Sequence, residues 1–262
     1  MKNHKNKITV RGLTKSFGSN QVLRNLDLDL RTGESLVVIG ASGTGKSVLI
    51  KLLIGILSPD SGSIRIENEE LIGAKANIRE QFRQKIGMLF QGAALFDSST
   101  LWENVAFGLM SGKSVNREKA KQIAIDTLAS VGLDSKSVYR YPAELSAGAQ
   151  KRVGLARAIA TKPEILFFDE PTTGIDPIMG HVIDHLIIEN VKVLGASALT
   201  ITHDMESAKR IGDRIAMLHE GAVVWASDAD KIEATDNAIV KRFVAGQANH
   251  STTSRTTNFS GW

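Results

Sequence analysis

A glycine-rich segment between two apolar runs constrains this chain more than any other feature. Residues 40–47 read Gly-Ala-Ser-Gly-Thr-Gly-Lys-Ser, after the apolar run 36–39 and before the largely apolar run 48–53. This order predicts a strand, a loop and a helix, which is the context of a phosphate-binding loop. Glycines let backbone N–H groups turn towards a phosphate oxygen, and the N-terminus of the following helix attracts the same anion.

The loop supplies the first candidate binding residues. Lys46 brings a mobile positive charge for the outer phosphates of a nucleotide, and Ser47 offers a hydroxyl group to Mg²⁺. The alternative is a glycine-rich turn that caps an ordinary buried helix, but that alternative does not explain the full spacing. The nucleotide-binding residues predicted in this segment are Gly40, Ala41, Ser42, Gly43, Thr44, Gly45, Lys46, Ser47 and Val48.

Composition excludes several other classes of protein. The 262 residues suffice for one large domain, and a net charge of +4 does not by itself indicate nucleic-acid binding. The absence of cysteine excludes disulfides and cysteine-based metal or nucleophilic sites. Residues 1–7 are polar and basic, so we expect no secretory signal. The longest apolar stretch, 48–57, is too short to cross a bilayer, so we expect a soluble chain that reaches membranes through a partner.

The segment before the loop predicts a small antiparallel sheet. Residues 7–10 and 21–30 have the composition of strands on either side of a turn at residues 18–19. In the second strand, leucines at 26, 28 and 30 alternate with aspartates, which is typical of a half-buried antiparallel strand. Phe17 precedes the turn and either packs in the core or stacks on a nucleotide base.

A second apolar strand, predicted at 86–90, ends at Gln91. Ligands of open α/β sheets bind beyond the carboxyl ends of strands, so Gln91 is placed to reach a nucleotide. From 92 to 160 helical spacing replaces strand patterns, which predicts an all-helical insertion. Near its end, Ser146 is predicted to cap a helix. Together with Gly148 it forms either a second anion site or a simple cap.

The run 165–170 combines a central strand with two acidic residues. Asp169 is predicted to hold Mg²⁺, and Glu170 is predicted to act as general base on an attacking water. A further strand at 198–202 is followed by His203. A lone histidine usually has a structural role, but this one also follows a strand end, where such sheets bind ligands. The alternation of strands and helices predicts an α/β fold.

Taken in order, these motifs resemble those of the ATP-binding cassette (ABC) ATPase family over residues 7 to about 245. The matching motifs are the phosphate loop, Gln91, residues 145–150, Asp169-Glu170, residues 173–176 and His203. The resemblance implies a RecA-like phosphate-loop NTPase core with an N-terminal antiparallel β subdomain and an α-helical subdomain inserted at about 92–160. The ATPase domain is expected to span 7–246, followed by a polar tail at 247–262.

The same resemblance implies ATP hydrolysis with Mg²⁺ at this site. Ser47, Gln91 and Asp169 would hold the metal, and Phe17 takes the place of the aromatic residue that stacks on adenine. His203 matches the residue that senses the γ-phosphate, which makes it a catalytic candidate together with Glu170 and Gln91.

Three further residues imply a homodimer. Ser146 and Gly148 match the family's signature loop, which contacts ATP bound to the other protomer, and Asp176 matches a loop along the dimer seam. The signature departs from the usual Leu-Ser-Gly-Gly-Gln, because Ala147 and Ala149 replace a glycine and the glutamine. This departure puts the hydrolysis rate in doubt more than nucleotide binding, and Gln150 is the candidate to replace the lost contact.

Residues 90–107, chiefly Leu95-Phe96-Asp97-Ser98, resemble the ATPases of Mla-type lipid transporters. This implies phospholipid transport between envelope membranes, with the ATPase bound to permease subunits on the cytoplasmic side of the inner membrane and with accessory lipid-binding subunits. The permease is expected to contact about 91–107, which contains the aromatic residues Phe96, Trp102 and Phe107. Some of these are expected to pack in the core of the insertion and the others to form the exposed contact surface.

The sequence is also compatible with two other functions. An ATPase of an importer for a small polar solute shares every motif. A non-transport ABC protein usually carries a coiled-coil insertion or a second cassette, and neither occurs in this sequence, so no nucleic-acid partner is expected. The tail at 247–262 is rich in Ser, Thr and Asn and is expected to be disordered, with Phe259 and Trp262 as candidate anchors on a neighbouring protomer.

Overall fold

The computed structural model describes residues 5–111 and 115–253, with side chains described up to residue 246. The strands are β1 (Asn6–Phe17), β2 (Asn20–Arg31), β3 (Ser35–Ile39), β4 (Ser61–Ile66), β5 (Glu69–Glu70), β6 (Ile86–Leu89), β7 (Ile165–Asp169), β8 (Ser197–Thr202), β9 (Arg214–His219) and β10 (Ala222–Asp228). The helices are α1 (Lys46–Leu53), α2 (Ala76–Gln84), α3 (Leu101–Ser111), α4 (Arg117–Ser130), α5 (Ala147–Ile159), α6 (Pro177–Leu194), α7 (Met205–Ile211) and α8 (Ala238–Thr253).

The larger sheet has the strand order β10-β9-β3-β8-β7-β6. Its strands from β9 to β6 are parallel, and β10 adds an antiparallel edge. The carboxyl ends of β3, β8 and β7 coincide, because Ile39 pairs with Thr202 and Asp169 pairs with Ile201. Polar residues that follow these strands are therefore brought to one edge of the sheet, as the sequence predicts.

Both faces of the larger sheet are packed against a hydrophobic core, and the side chains of β3 contribute to both cores. Leu36 and Val38 pack into one core with α1 and the N-terminal strands, while Val37 and Ile39 pack into a second core on the opposite face. Successive side chains of a strand point to opposite faces, so an uninterrupted apolar run fills two cores at once. The apolar runs at β3, β7 and β8 thus correspond to central parallel strands.

The smaller sheet is antiparallel, with the order β2-β1-β4-β5. Its first two strands form a hairpin around Gly18, which has φ 61°. Leu26, Leu28 and Leu30 are buried while Asp27 is exposed, so the predicted alternation is confirmed. The strands extend beyond the predicted ranges 7–10 and 21–30, because polar residues at their ends continue the pairing.

Helices α3, α4 and α5 form the predicted helical insertion between β6 and β7. They share one core, which includes Leu101, Val105, Leu128 and Val153. The last of them, α5, begins directly after Ser146, which caps it as predicted. The fold is therefore the predicted α/β phosphate-loop NTPase with an antiparallel β subdomain and a helical insertion.

The structure distinguishes the buried aromatic residue of the insertion from the exposed ones, and it extends the last helix into the predicted tail. Trp102 is only 5% exposed, because it packs into the core of the helical insertion under the Arg117 guanidinium, which lies 4.8 Å from the ring centroid. The tail is not disordered from its start, because α8 continues through Thr253. Phe259 and Trp262 lie outside the described residues. Among the described helices, none combines the length and apolar character that crossing a membrane requires.

Candidate active site

The phosphate loop connects β3 to α1, and its glycines are required by close packing. A Cβ at Gly40 would lie 2.4 Å from the carbonyl oxygen of Leu218, and one at Gly45 would lie 2.8 Å from a methyl group of Leu23. Gly45 also has φ 102°, and it precedes α1 without a side-chain cap. The first N–H groups of α1 are therefore available to an anion at the helix N-terminus.

Lys46 lies inside the loop, with 6% of its surface exposed. Its Nζ atom donates hydrogen bonds to the carbonyl oxygens of Gly40 (2.7 Å) and Ala41 (3.0 Å). Burial lowers the pKa of Lys46, and the charges of Glu170 and Asp169 oppose that shift. An anion in the loop would give the buried ammonium a charged partner in place of neutral carbonyls.

Asp169 ends β7 directly beside the loop. Its Oδ1 atom lies 3.4 Å from the Ser47 hydroxyl, which donates a hydrogen bond to it. Burial raises the pKa of Asp169, and the neighbouring charge of Glu170 raises it further, while the Ser47 hydrogen bond lowers it. A hydroxyl and a buried carboxylate that needs a positive partner fit a Mg²⁺ ion, which prefers oxygen ligands.

Glu170 adopts a left-handed backbone conformation, with φ 48°. Its carboxylate is 8% exposed and held at Oε2 by two neighbours: the Thr173 hydroxyl donates at 2.9 Å, and His203 Nδ1 lies 2.8 Å away. His203 follows β8, so two neighbouring strand ends supply this pair. The arrangement fixes one carboxylate oxygen, and no described side chain hydrogen-bonds the other, Oε1.

Lys46, Ser47, Glu170 and His203 line a cavity of about 410 Å³, and Asp169 lies beside it, hydrogen-bonded to Ser47. Phe17 lies at its rim and is 48% exposed, so this aromatic residue does not serve as a core residue. The cavity joins the phosphate loop to the ends of β6, β7 and β8. It is lined by Phe17, Val22, Ser42, Gly43, Gly45, Lys46, Ser47, Val48, Gln91, Glu170 and His203.

Seven predicted residues do not line the cavity. Four of them adjoin it in the phosphate loop or at the end of β7, namely Gly40, Ala41, Thr44 and Asp169, and the other three, Ser146, Gly148 and Asp176, lie at α5 and α6. Ser146 caps α5 by accepting a hydrogen bond from the Ala149 N–H (3.4 Å), and Asp176 caps α6 by accepting one from the Met179 N–H (2.9 Å). Gly148 packs against Met179, since a Cβ there would lie 2.5 Å from its Cγ atom. The two caps therefore belong to a second cluster, between α5 and α6.

In the single chain, the amide group of Gln150 donates to the carbonyl oxygens of Pro142 (3.0 Å) and Leu145 (3.4 Å). Its contact in place of the missing signature glutamine stays a prediction. Glu103 has a local role, because its carboxylate accepts hydrogen bonds from the Thr100 N–H (3.0 Å) and hydroxyl (2.8 Å) at the start of α3. A Glu103→Lys change would therefore break a helix cap.

Sequence reasoning missed two residues beside the carboxylates. Thr173 was noted only as part of a motif, although its hydroxyl binds Glu170. Lys151 is not among the predicted site residues, yet its Nζ atom donates to the carbonyl oxygens of Gln91 and Glu170. A signal for Lys151 was present: it lies among small and apolar residues of α5 that are buried, including Ala149, Val153 and Gly154.

The fold and the cavity define a phosphate-loop nucleoside triphosphatase. The family model described as ABC transporter matches residues 23–173. The chain belongs to the ABC transporter family, and it is an ATP-binding subunit with ATPase activity.

Individual relatives agree with this assignment. The chain is 37% identical to the "Probable ribonucleotide transport ATP-binding protein mkl" of Mycobacterium leprae, over 92% of this chain and 69% of the relative. It is 37% identical to the chloroplastic "Protein TRIGALACTOSYLDIACYLGLYCEROL 3" of Arabidopsis thaliana, over 91% and 73%. It is 36% identical to the "Glutamine transport ATP-binding protein GlnQ" of Escherichia coli, over 82% and 89%.

A solved structure matches in the same way. It is a dimeric post-hydrolysis state of the ATP-binding cassette MJ0796 bound to ADP and phosphate. The TM-score is 0.78 at 28% sequence identity, and the match covers 85% of this chain and 98% of that chain.

Proposed function

We propose that this ATPase powers lipid transport between envelope membranes through a separate permease. The observation that carries the proposal is the relative named after trigalactosyldiacylglycerol, a glycerolipid, which matches 91% of this chain at 37% identity. The Leu95-Phe96-Asp97-Ser98 run, which resembles Mla-type ATPases, supports the same class. The ATPase would lie on the cytoplasmic side of the inner membrane, held by the permease, with accessory lipid-binding subunits delivering the lipid.

Import of a polar solute is the second candidate. It is favoured by the 36% identity to a glutamine transport protein and by the name of the mycobacterial relative, which specifies ribonucleotides. The two functions predict different permeases and different stimulating substrates. Sequence identity alone does not separate them, because the values differ by one percentage point.

Within the proposed cycle, the cavity residues bind and orient ATP. Lys46 exchanges its carbonyl acceptors for phosphate oxygens, and Phe17 stacks on the adenine from the rim. Ser47, Gln91 and Asp169 would hold Mg²⁺, which neutralises phosphate charge when bound. Glu170 accepts the proton of the attacking water at its free oxygen, while His203 and Thr173 keep the carboxylate in place.

In this proposal, the second cluster, at the N-termini of α5 and α6, acts on a nucleotide only when a second copy of the chain is present. Ser146 at the cap of α5, Gly148 on α5 and Asp176 before α6 do not line the cavity, and we infer that they contact the nucleotide that another protomer binds. The structural relative with ADP and phosphate is itself a dimer. A homodimer with two ATP molecules at the interface would therefore complete each site.

The permease contact is proposed at the surface formed by Phe96 and Phe107. Both rings are exposed, by 42% and 51%, and their centroids lie 4.8 Å apart. Asn104 is fully buried and holds the loop that presents Phe96, because its side chain bonds to both backbone groups of that residue. An exposed aromatic pair on a fixed loop suits a short amphipathic segment of a partner.

Phe96→Asp tests this surface. The variant should keep its melting temperature and ATP affinity but fail to co-purify with the permease. Trp102→Ala provides the contrast, since it should destabilise the fold by about 3–5 kcal/mol. Retention of the permease by a folded Phe96→Asp variant would show that the contact lies elsewhere.

The substrate class is tested on the complex purified from membranes with its own permease. We expect phospholipid to co-purify with it, and ATPase activity in nanodiscs to rise with phospholipid content. Glu170→Gln complexes supply the background rate. Stimulation by glutamine, ribonucleotides or another polar solute, without any response to lipid, would replace the lipid proposal with the importer. The family assignment would stand in either case.

A further inference from the structure

Lys151 is a buried lysine of α5 that lies beside the ends of β6 and β7. It is 5% exposed, and its Nζ atom donates to the carbonyl oxygen of Gln91 and, at 3.1 Å, to that of Glu170. Burying an ammonium group is unfavourable unless it is well bonded. Both acceptors belong to residues that the proposed function uses, and they follow different strands, β6 and β7.

The Glu170 backbone needs such support. Its φ of 48° is uncommon for a residue with a side chain, and conformations of this kind persist only when the surroundings hold them. Its N–H donates to the Ile201 carbonyl at 2.9 Å, and its own carbonyl accepts from the Thr173 N–H at 3.3 Å. Lys151 donates a further hydrogen bond to the same carbonyl. Glu170 is therefore held by β8 at its N–H group and by α5 at its carbonyl oxygen.

The Gln91 segment is held by the same helix at two places. Beyond the Lys151 contact, the Arg157 guanidinium donates to the carbonyl oxygens of Ala93 and Ala94, each at 2.6 Å. Both alanines have positive φ, 59° and 48°. Between the two cations, Gly154 lets α5 approach closely, since a Cβ there would lie 2.7 Å from Leu89.

We infer that Lys151 is a positioning residue for ATP hydrolysis, which holds the backbones of Glu170 and Gln91 in a fixed relation. This inference rests on the proposed roles of those two residues. Because α5 begins at the Ser146 cap, Lys151 also joins the signature segment to the carboxylate of its own subunit. A displacement of the general base by about 1 Å is enough to lower turnover about 100-fold without weakening substrate binding.

Lys151→Met is the main variant, because methionine keeps the length and apolar volume of the side chain and removes the donor. Arg152→Met is the matched control: Arg152 is the next residue of α5 and also donates to a backbone carbonyl, that of Gly132, away from the cavity. Lys151→Arg tests rescue, since a guanidinium can donate to both carbonyls. Lys151→Leu, which also removes the donor, replaces the methionine variant if that variant does not fold.

The full chain with its permease is assayed for kcat, KM for ATP, nucleotide affinity and amide hydrogen exchange of residues 91–94. We expect Lys151→Met to lower kcat about 10- to 100-fold with unchanged KM and nucleotide affinity. Exchange at 91–94 should rise. Lys151→Arg should restore most of kcat, and Arg152→Met should leave kcat and exchange at wild-type values.

Two results would overturn the role of Lys151. The first is an unchanged kcat in Lys151→Met while Glu170→Gln is inactive. The second is an equal loss in Lys151→Met and Arg152→Met, which would indicate a general effect on α5. Full hydrolysis by Glu170→Gln would instead remove the proposed function of that carboxylate, and with it the premise of the inference.

Discussion

Lys46→Ala separates what the buried ammonium contributes to the fold from what it contributes to ATP binding. Two hydrogen bonds from a charged donor stabilise the folded loop by about 1.5–3 kcal/mol each. Desolvation opposes them, and the lowered pKa of Lys46 means that the folded state disfavours the charged form relative to the unfolded state. We therefore expect the free energy of unfolding to change by less than about 1 kcal/mol.

The effect on the nucleotide is much larger. Removal of one charge-assisted hydrogen bond to phosphate should cost about 1.5–3 kcal/mol, which corresponds to a Kd increase of about 10- to 150-fold. The assays are nucleotide titration by fluorescence in the presence of Mg²⁺ and urea denaturation without nucleotide. Lys51→Ala is the control, because Lys51 lies on the same helix with an exposed side chain.

Two outcomes would contradict this reasoning. An unchanged Kd in Lys46→Ala would mean that the ammonium stays on the loop carbonyls when ATP binds. A loss of several kcal/mol of stability would mean that its bonds to Gly40 and Ala41 outweigh its desolvation, and that the structural role dominates.

Three other changes test separate parts of the molecule. Glu170→Gln should keep ATP affinity and accumulate as an ATP-bound dimer on size-exclusion chromatography; hydrolysis at the wild-type rate would refute the general base. Ala147→Gly should raise the ATPase rate of the complex if the methyl group separates the signature loop from phosphate, and a lower rate with an intact dimer would mean that alanine fits. Wild-type stability should fall between about pH 4.5 and pH 2, because the Lys7 and Lys85 hydrogen bonds lower the pKa of Glu67 to about 2. Glu67→Gln should flatten that part of the urea-denaturation profile against pH, and an equally steep profile would count against the ion pairs.

The sequence predicts the strand ends well, because apolar runs followed by polar residues have few alternatives in a parallel sheet. Gln91, Glu170 and His203 follow β6, β7 and β8 as expected, and all three line the cavity. Ser146 was correctly predicted as a cap, because capping depends on one residue and the next few N–H groups.

What the sequence does not predict depends on contacts between distant segments. Lys151 binds carbonyl groups 60 and 19 residues away, and no local pattern specifies such acceptors. The sequence does not indicate that Trp102, and neither Phe96 nor Phe107, is the buried aromatic residue, because Arg117 and Lys121, which cover its ring, are distant in sequence. The helix at 238–253 continues through polar residues whose composition favours disorder.

The position of β3 in the larger sheet has a consequence for synthesis. This strand lies between β8 and β9, so a segment made early obtains both neighbours only after residues 197–219 have been translated. Gly40 packs directly on the carbonyl of Leu218 in β9, so the phosphate loop cannot reach its final packing before β9 has been made. A nascent chain stalled before β9 has left the ribosome should therefore not retain ATP, whereas its N-terminal hairpin, which is local in sequence, can already form.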